Sequence, residues 1–385
     1  MISDAMNEMI WFIPLLVWLV ILLLPWQPWR NRETLEVACA GSDTDLSDIT
    51  VIIPARNEAN QISQTLGALS LQGENLHVIV VDDQSQDGTA GMVRRFQDLD
   101  ITVIDGLALP DGWTGKLWAL QQGYAKVDRP ITVLLDADIT LAQGTLASLR
   151  EKMRRESISF ISVMANLSMR TFWQKLLLPA FVYYFKQLYP FALANNRRIK
   201  YVAAAAGGCI MLESDALKKI GGFKAIRETL IDDCALAKLM KRNGYSTWVG
   251  LTRNVQSHRP YSGLRPIWDM VSRTAFHQLK YSLSLLLGLS LIFITLYGLP
   301  WMGLLNTSLI AQSASVLSLT IMAGIYIPIL RYYQLSPLWS LAMPLIAALY
   351  LAMTWYSAIE HWLGGGNNWR GRRYYKHSKV EEIIG

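Results

Sequence analysis

Asp136 and Asp138, in the stretch ITVLLDADIT (131–140), are the side chains around which chemistry can be organised. Two carboxylates one residue apart cannot both stay ionised at close range without a neutralising cation, and a hard divalent ion with oxygen ligands is the natural one. The β-branched and leucine run 131–135 that precedes them predicts a parallel strand, apolar on both faces, that delivers charge at its carboxyl end. In open α/β sheets that end is where ligands bind. An isolated Asp-x-Asp is equally the signature of a surface turn, so its neighbours decide the reading.

Two further groups of polar residues stand at the ends of apolar runs. The run 49–53 leads into Pro54-Ala55-Arg56-Asn57-Glu58, and the run 77–81 ends in Asp82-Asp83 before the turn-rich QSQDGT. A third run covers 101–104. Strands that alternate with helical stretches in this way predict βαβ units and a mostly parallel sheet. Polar residues therefore converge on one edge from three strands.

Between these runs, GWTGKLWAL (112–120) offers Lys116 for a phosphate, with glycines that permit close backbone approach. A solvated lysine at a helix start is the competing reading. In TLIDDCALAKLM (229–240), Asp232 or Asp233 can cap the helix that Gly244 ends, yet two adjacent acids exceed what one cap requires. Beyond the run 246–250 lie Arg253, His258, Arg259, Arg265 and Arg273. The guanidinium groups of Arg259 and Arg273 suit a diphosphate. His258 is either a further metal ligand or a structural histidine.

Stepping outward, the 385-residue chain is 52% hydrophobic and 17% charged, which predicts membrane segments. Its net charge of +6 is spread or set beside apolar runs, favouring a membrane surface or phosphorylated substrates and giving no footprint for nucleic acid. Cys39, Cys209 and Cys234 are too scattered for a disulfide framework or a zinc site and read as small buried hydrophobes in a reducing compartment.

The apolar segment 9–26 is expected to be a transmembrane helix. Asp4 and Glu8 precede it and Arg30 and Arg32 follow it, so the catalytic part is expected on the cytoplasmic side. A linker covers 27–48 and an α/β domain 49–280. Within that domain, 171–195, with aromatics between Lys175 and Lys186, has the composition of a helix lying in the membrane interface, its lysines reaching towards headgroups. Residues 281–362 hold two to three transmembrane or re-entrant helices, with a break at Gly298-Leu299-Pro300 or slightly later. The basic tail 363–385 is expected on the cytoplasmic side. Three full spans would place it outside, so either one apolar segment is re-entrant or interfacial, or the positive-inside tendency fails here.

PARNE, VVDDQSQDGT and LLDADI, in this order, resemble the nucleotide-binding half of family-2 glycosyltransferases. That resemblance implies a GT-A fold, Rossmann-like with a mostly parallel sheet. It assigns nucleotide-sugar binding to Pro54, Arg56, Glu58, Asp82 or Asp83, Lys116, Asp136, Arg259 and Arg273. Asp136 and Asp138 would hold Mg²⁺ or Mn²⁺ against the diphosphate, with His258 left open as a further ligand or a structural histidine. The general base falls on Asp233, supported by Asp232. Processive members carry Gln-x-x-Arg-Trp, where this chain has MVSRT (270–274), so addition of one sugar is implied.

Over nearly the whole chain, GWTGKLWAL, LPAFVYYFKQLYPFA, AAAAGGC, LIDDCALA and RPYSGLRPIWDMVSRTAFHQL look like the hopene-associated glycosyltransferases. The expectation is an inverting, metal-dependent, multi-pass enzyme of the bacterial inner membrane. It would move one sugar from a nucleotide-sugar, a UDP-sugar first, to a lipid hydroxyl. Transfer to polyprenyl phosphate is one alternative. A non-catalytic nucleotide-binding membrane scaffold is another.

Overall fold

A computed structural model of the chain describes residues 8–37 and 44–364, together with the short strands Asn367–Trp369, Arg372–Tyr374 and Val380–Glu382. Asp4, Cys39 and most of the basic tail lie outside the described residues. By contacts the chain forms two compact units. One comprises residues 1–32, 169–190 and 261–366, and the other 33–168, 191–260 and 367–385.

The second unit carries the α/β fold. Strands β1 (Ile49–Ala55), β2 (His77–Asp82), β3 (Asp100–Asp105) and β4 (Ile131–Leu135) match the four apolar runs. They are joined by β5 (Ile139–Leu141), β6 (Phe160–Asn166), β7 (Cys209–Glu213) and β8 (Thr247–Ser257) in one sheet of order β3-β2-β1-β4-β7-β6-β8-β5. β1 to β4 pair in parallel, whereas β7 runs antiparallel to both β4 and β6.

Successive side chains on a strand face opposite ways, so the continuous apolar runs serve two cores. Val51, Ile53, Val78, Val80, Val133 and Leu135 join one, and Ile52, Ile79, Val81 and Leu134 join the other. Leu66, Leu69, Leu146 and Leu149 cover the first face. The second is covered by Leu117, Leu120, Leu236 and Met240. The helix that bears Lys116, Gly115–Tyr124, comes very close to the sheet at Gly123. A Cβ there would stand 2.6 Å from Ile52 Cγ2 and 3.0 Å from Val81 Cγ2. Gly123→Val is expected to cost about 1–3 kcal/mol by overpacking. A thermal midpoint equal to wild type would show that this contact does not limit the fold.

The segment expected as a linker is partly knitted into this unit. Leu35 N–H donates to Leu251 O and Leu251 N–H to Glu33 O, each at 2.8 Å, and Leu35 is buried.

The first unit is helical. Three segments, Leu283–Leu304, Leu309–Tyr332 and Pro337–Trp362, are long and apolar enough to cross a membrane. The first continues through Gly298-Leu299-Pro300 by way of a π-helical turn, Ile294–Gly298, and Pro300 sits in the opening turn of Leu299–Leu304. The break comes later, before Ser308, whose hydroxyl caps the next helix.

The amino-terminal helix is shorter than expected. Phe12–Leu23 has 12 residues, about 18 Å at 1.5 Å per residue, against a hydrocarbon core of about 30 Å. Leu24-Pro25 ends it. Trp18 is buried against the first apolar helix, its indole N–H donating to Leu296 O at 3.2 Å and its ring meeting Tyr297 edge-on.

The segment 171–195 contains the helix Phe172–Leu188, opened by a Thr171–Gln174 capping box. Lys186, expected to reach outward towards headgroups, is instead buried, and its ammonium donates to Arg30 O and, at 2.6 Å, to Asn31 Oδ1.

Candidate active site

Two neighbouring loops at the carboxyl ends of β1 and β2 are laced together by their polar residues. Arg56 Nη1 donates to Asp83 O at 2.6 Å, and Asp83 N–H donates to Ala55 O at 2.8 Å. Asn57 N–H donates to Ser85 Oγ, Glu58 N–H to Thr89 Oγ1 and Ala59 N–H to Asp87 Oδ2. Arg56, Glu58 and Asp83 are thus buried parts of the frame. Asp82 is different. Its Oδ2 accepts from Ser85 N–H at 3.2 Å, while Oδ1 is buried with no hydrogen-bond partner among the described residues. Of the two acids that the sequence left open, Asp82 presents the acceptor.

At the end of β4, Asp136 is held by its own N–H, which donates to Gly208 O at 3.1 Å. Lys116 reaches it from the first turn of Gly115–Tyr124, with Nζ 2.8 Å from Asp136 Oδ1 and 3.5 Å from Asp232 Oδ2. Asp232 and Asp233 form the first turn of the helix Asp232–Arg242. Its N-cap is Ile231 with no side-chain cap, so neither acid serves as the cap. Gly207 closes the cluster, since a Cβ there would lie 3.3 Å from both Asp233 Oδ2 and Lys116 Nζ. Pro54 lines the same cleft, with Lys116, Asp136, Gly207 and Asp232.

This crowding sets the charges. Burial opposes the Lys116 ammonium, but Asp136 and Asp232 outweigh it and hold the group protonated well above the usual lysine range. Burial, and then the charge of Asp232, push Asp233 up to about 7, against the opposing pull of Lys116. A carboxyl poised near neutrality, next to a fixed cation, has the properties of a general base.

Asp138, two residues on, has different partners. Its backbone oxygen accepts from His258 N–H at 2.9 Å, and Arg259 Nε stands 3.8 Å from its Oδ2. His258 does not join the two aspartates as a ligand: its Nε2 is 2.7 Å from the Thr140 hydroxyl. Among the described residues, no three His, Cys, Asp or Glu side chains gather as a metal cage. The donors present still fit Mg²⁺ or Mn²⁺, because such ions are commonly held by one or two carboxylates plus substrate phosphates. Arg273 lies on Leu264–Gln278, in the helical unit. Cys209 is buried, its thiol pushed up to about 12 by that burial, and Cys234 is half-buried with its thiol on Ala205 O.

Sequence spacing did not reveal the link between Lys116 and the acids, because residues 116, 136 and 232 belong to three separate elements. Thr65, whose hydroxyl donates to Ala137 O at 2.7 Å, was missed for the same reason. It pins the peptide between the two aspartates, and only the fold brings it there.

Residues 50–221 match the family model described as Glycosyl transferase family 2. The 4,4'-diaponeurosporenoate glycosyltransferase of Staphylococcus aureus (strain USA300) is 38% identical over 93 residues, 24% of each chain. The chain thus spans about a quarter of the length of the curated relatives it matches. Among solved structures, the mannosyltransferase PcManGT from Pyrobaculum calidifontis, in complex with GDP-Man and Mn²⁺, superposes with a TM-score of 0.53 at 17% identity. It covers 91% of this chain and 98% of its own. The fold is GT-A, with three apolar helices towards the carboxyl end.

Proposed function

From the family-2 glycosyltransferase domain as premise, we propose that the protein transfers a single sugar from a nucleotide-sugar to the hydroxyl of a membrane lipid, with inversion. The observation that carries this reading is the Lys116–Asp136–Asp232–Asp233 cluster, which sets a candidate base against an acid fit for a metal–diphosphate. Asp82 Oδ1 receives a hydrogen bond from the nucleoside. Asp136 and Asp138 would hold a Mg²⁺ or Mn²⁺ ion. When bound, the ion neutralises charge that gathers on the departing diphosphate. Arg259 stands where it can pass from Asp138 to a phosphate. Asp233 accepts the acceptor's proton as the hydroxyl oxygen bonds to the anomeric carbon and the bond from that carbon to the diphosphate breaks.

A lipid acceptor is supported by the three apolar helices and by the Staphylococcus relative, named for 4,4'-diaponeurosporenoate. The resemblance to hopene-associated enzymes makes a hopanoid-type lipid the first acceptor to try. We place the protein in the bacterial inner membrane as a multi-pass enzyme with its catalytic unit cytoplasmic. The protein is then expected to stay in the membrane fraction through an alkaline carbonate wash. Release into the supernatant would contradict a spanning anchor.

The acceptor is tested by incubating purified protein with a radiolabelled nucleotide-sugar and total bacterial lipid, then counting the organic phase. Label in a lipid product stable to mild acid supports a hydroxyl acceptor. Acid-labile label that survives Asp233→Asn would transfer the reading to polyprenyl phosphate, whose anionic oxygen needs no base.

A further inference from the structure

Strands β6 and β8 are parallel to each other and, through the antiparallel β7, to β4. Their starts, Phe160 and Thr247, therefore lie on the sheet edge opposite Asp136. A cavity of about 380 Å³ opens there, within the roughly 300–1,000 Å³ range of small-ligand sites. Its walls include Ser157, Ser159, Arg197, Lys200, Lys241 and Thr247, and none of its lining residues is acidic.

Lys241 gives the cavity its character. It is 4% exposed, and its ammonium donates to Leu193 O, Ala194 O and, at 2.8 Å, Val202 O. These carbonyls satisfy its hydrogen bonds, but among the described residues no carboxylate pairs with it, and burial pushes its pKa down to about 8. Arg197 adds a second cation. Its Nη2 donates to Glu156 O and, at 3.0 Å, to Ser157 O, which fixes it at the end of the helix Thr145–Glu156. Lys200 is exposed at the rim and adds a third, while Ser157 and Ser159 contribute hydroxyls. A buried cation without a counter-charge is costly, and several cations around one concavity focus a positive field.

We propose that this cavity is a second anion site that binds a phosphate group, carried by an anionic lipid headgroup or by a soluble phosphate, separate from the donor cleft. The Arg197 guanidinium, the Lys200 ammonium and the serine hydroxyls line one concavity and suit a multi-oxygen anion, while Lys241, its donors held by carbonyls, contributes charge.

The test uses the full-length protein in detergent. One arm measures phosphatidylglycerol against phosphatidylcholine adducts by native mass spectrometry, and the other titrates inorganic phosphate by calorimetry without lipid. Arg197→Gln/Lys200→Gln removes two cations while leaving Lys241 in place. Lys218→Gln/Lys219→Gln, an exposed pair outside the cavity, is the control. Preferential phosphatidylglycerol binding identifies a lipid headgroup, and phosphate binding in the lipid-free arm identifies a soluble ligand. Whichever binds should weaken about tenfold in the Arg197/Lys200 variant and not in the control. The proposal is overturned if neither probe binds wild type, if the two variants weaken binding equally, or if the Arg197/Lys200 variant binds like wild type.

Discussion

Replacing Asp233 with Asn is expected to slow sugar transfer by about 10²- to 10⁴-fold, the usual contribution of a general base, with donor affinity near wild type. The replacement keeps the shape of the side chain and removes only its ability to take a proton. Because burial and Asp232 push the Asp233 carboxyl up to about 7, wild-type transfer should rise with pH through that value and level off above it. The stability effect has the opposite sign. An acid with a raised folded pKa is still protonated in the folded state where the unfolded chain has already lost the proton, so the fold weakens as pH climbs from about 4 towards 7. Asp233→Asn is therefore expected to melt no lower than wild type at pH 8. A variant that loses activity and also melts much lower would point to a structural role.

Lys116→Met is expected to shift the same pH profile upward. Lys116 is the cation that pulls Asp233 down, and it sits 2.8 Å from Asp136 and 3.5 Å from Asp232. An opposite charge within about 4–6 Å typically moves a carboxyl by about 1–3 pKa units. Without it, Asp233 stays protonated at pH 7, and transfer at that pH falls by about 10- to 10³-fold. Raising the pH should recover part of the loss, because the base itself is intact. Lys116→Arg should restore more of the neutral-pH rate than Met does. A uniform fall at every pH, with KM for the donor raised, would instead confine Lys116 to donor binding.

The sheet was legible because its signal is local. Residues 49–53, 77–81, 101–104 and 131–135 are apolar, each ends in polar residues, and each became a parallel strand. What could not be seen was how charges from distant elements neutralise one another. Arg56 and Asp83, expected at the donor, bond to each other's loop, which leaves Asp82 with an unpartnered oxygen. His258 was drawn away by Thr140, a residue with no marked sequence feature. Apolar length was over-read at the amino terminus, where hydropathy alone does not show that Leu24-Pro25 stops the helix after 12 residues. Composition likewise suggested that Lys186 faces headgroups, but the fold supplied Asn31 and a backbone carbonyl as its partners.

The central claim is that the end of β4 works on a nucleotide-sugar, and its most direct test is nucleotide release. Purified protein would be given a panel of UDP- and GDP-sugars with Mn²⁺, with and without total bacterial lipid, beside Asp138→Ala. Lipid-stimulated release of one nucleoside diphosphate from wild type, lost in Asp138→Ala, is the predicted result. Absence of both turnover and metal-dependent nucleotide binding across the panel would contradict the account and leave a membrane scaffold in its place.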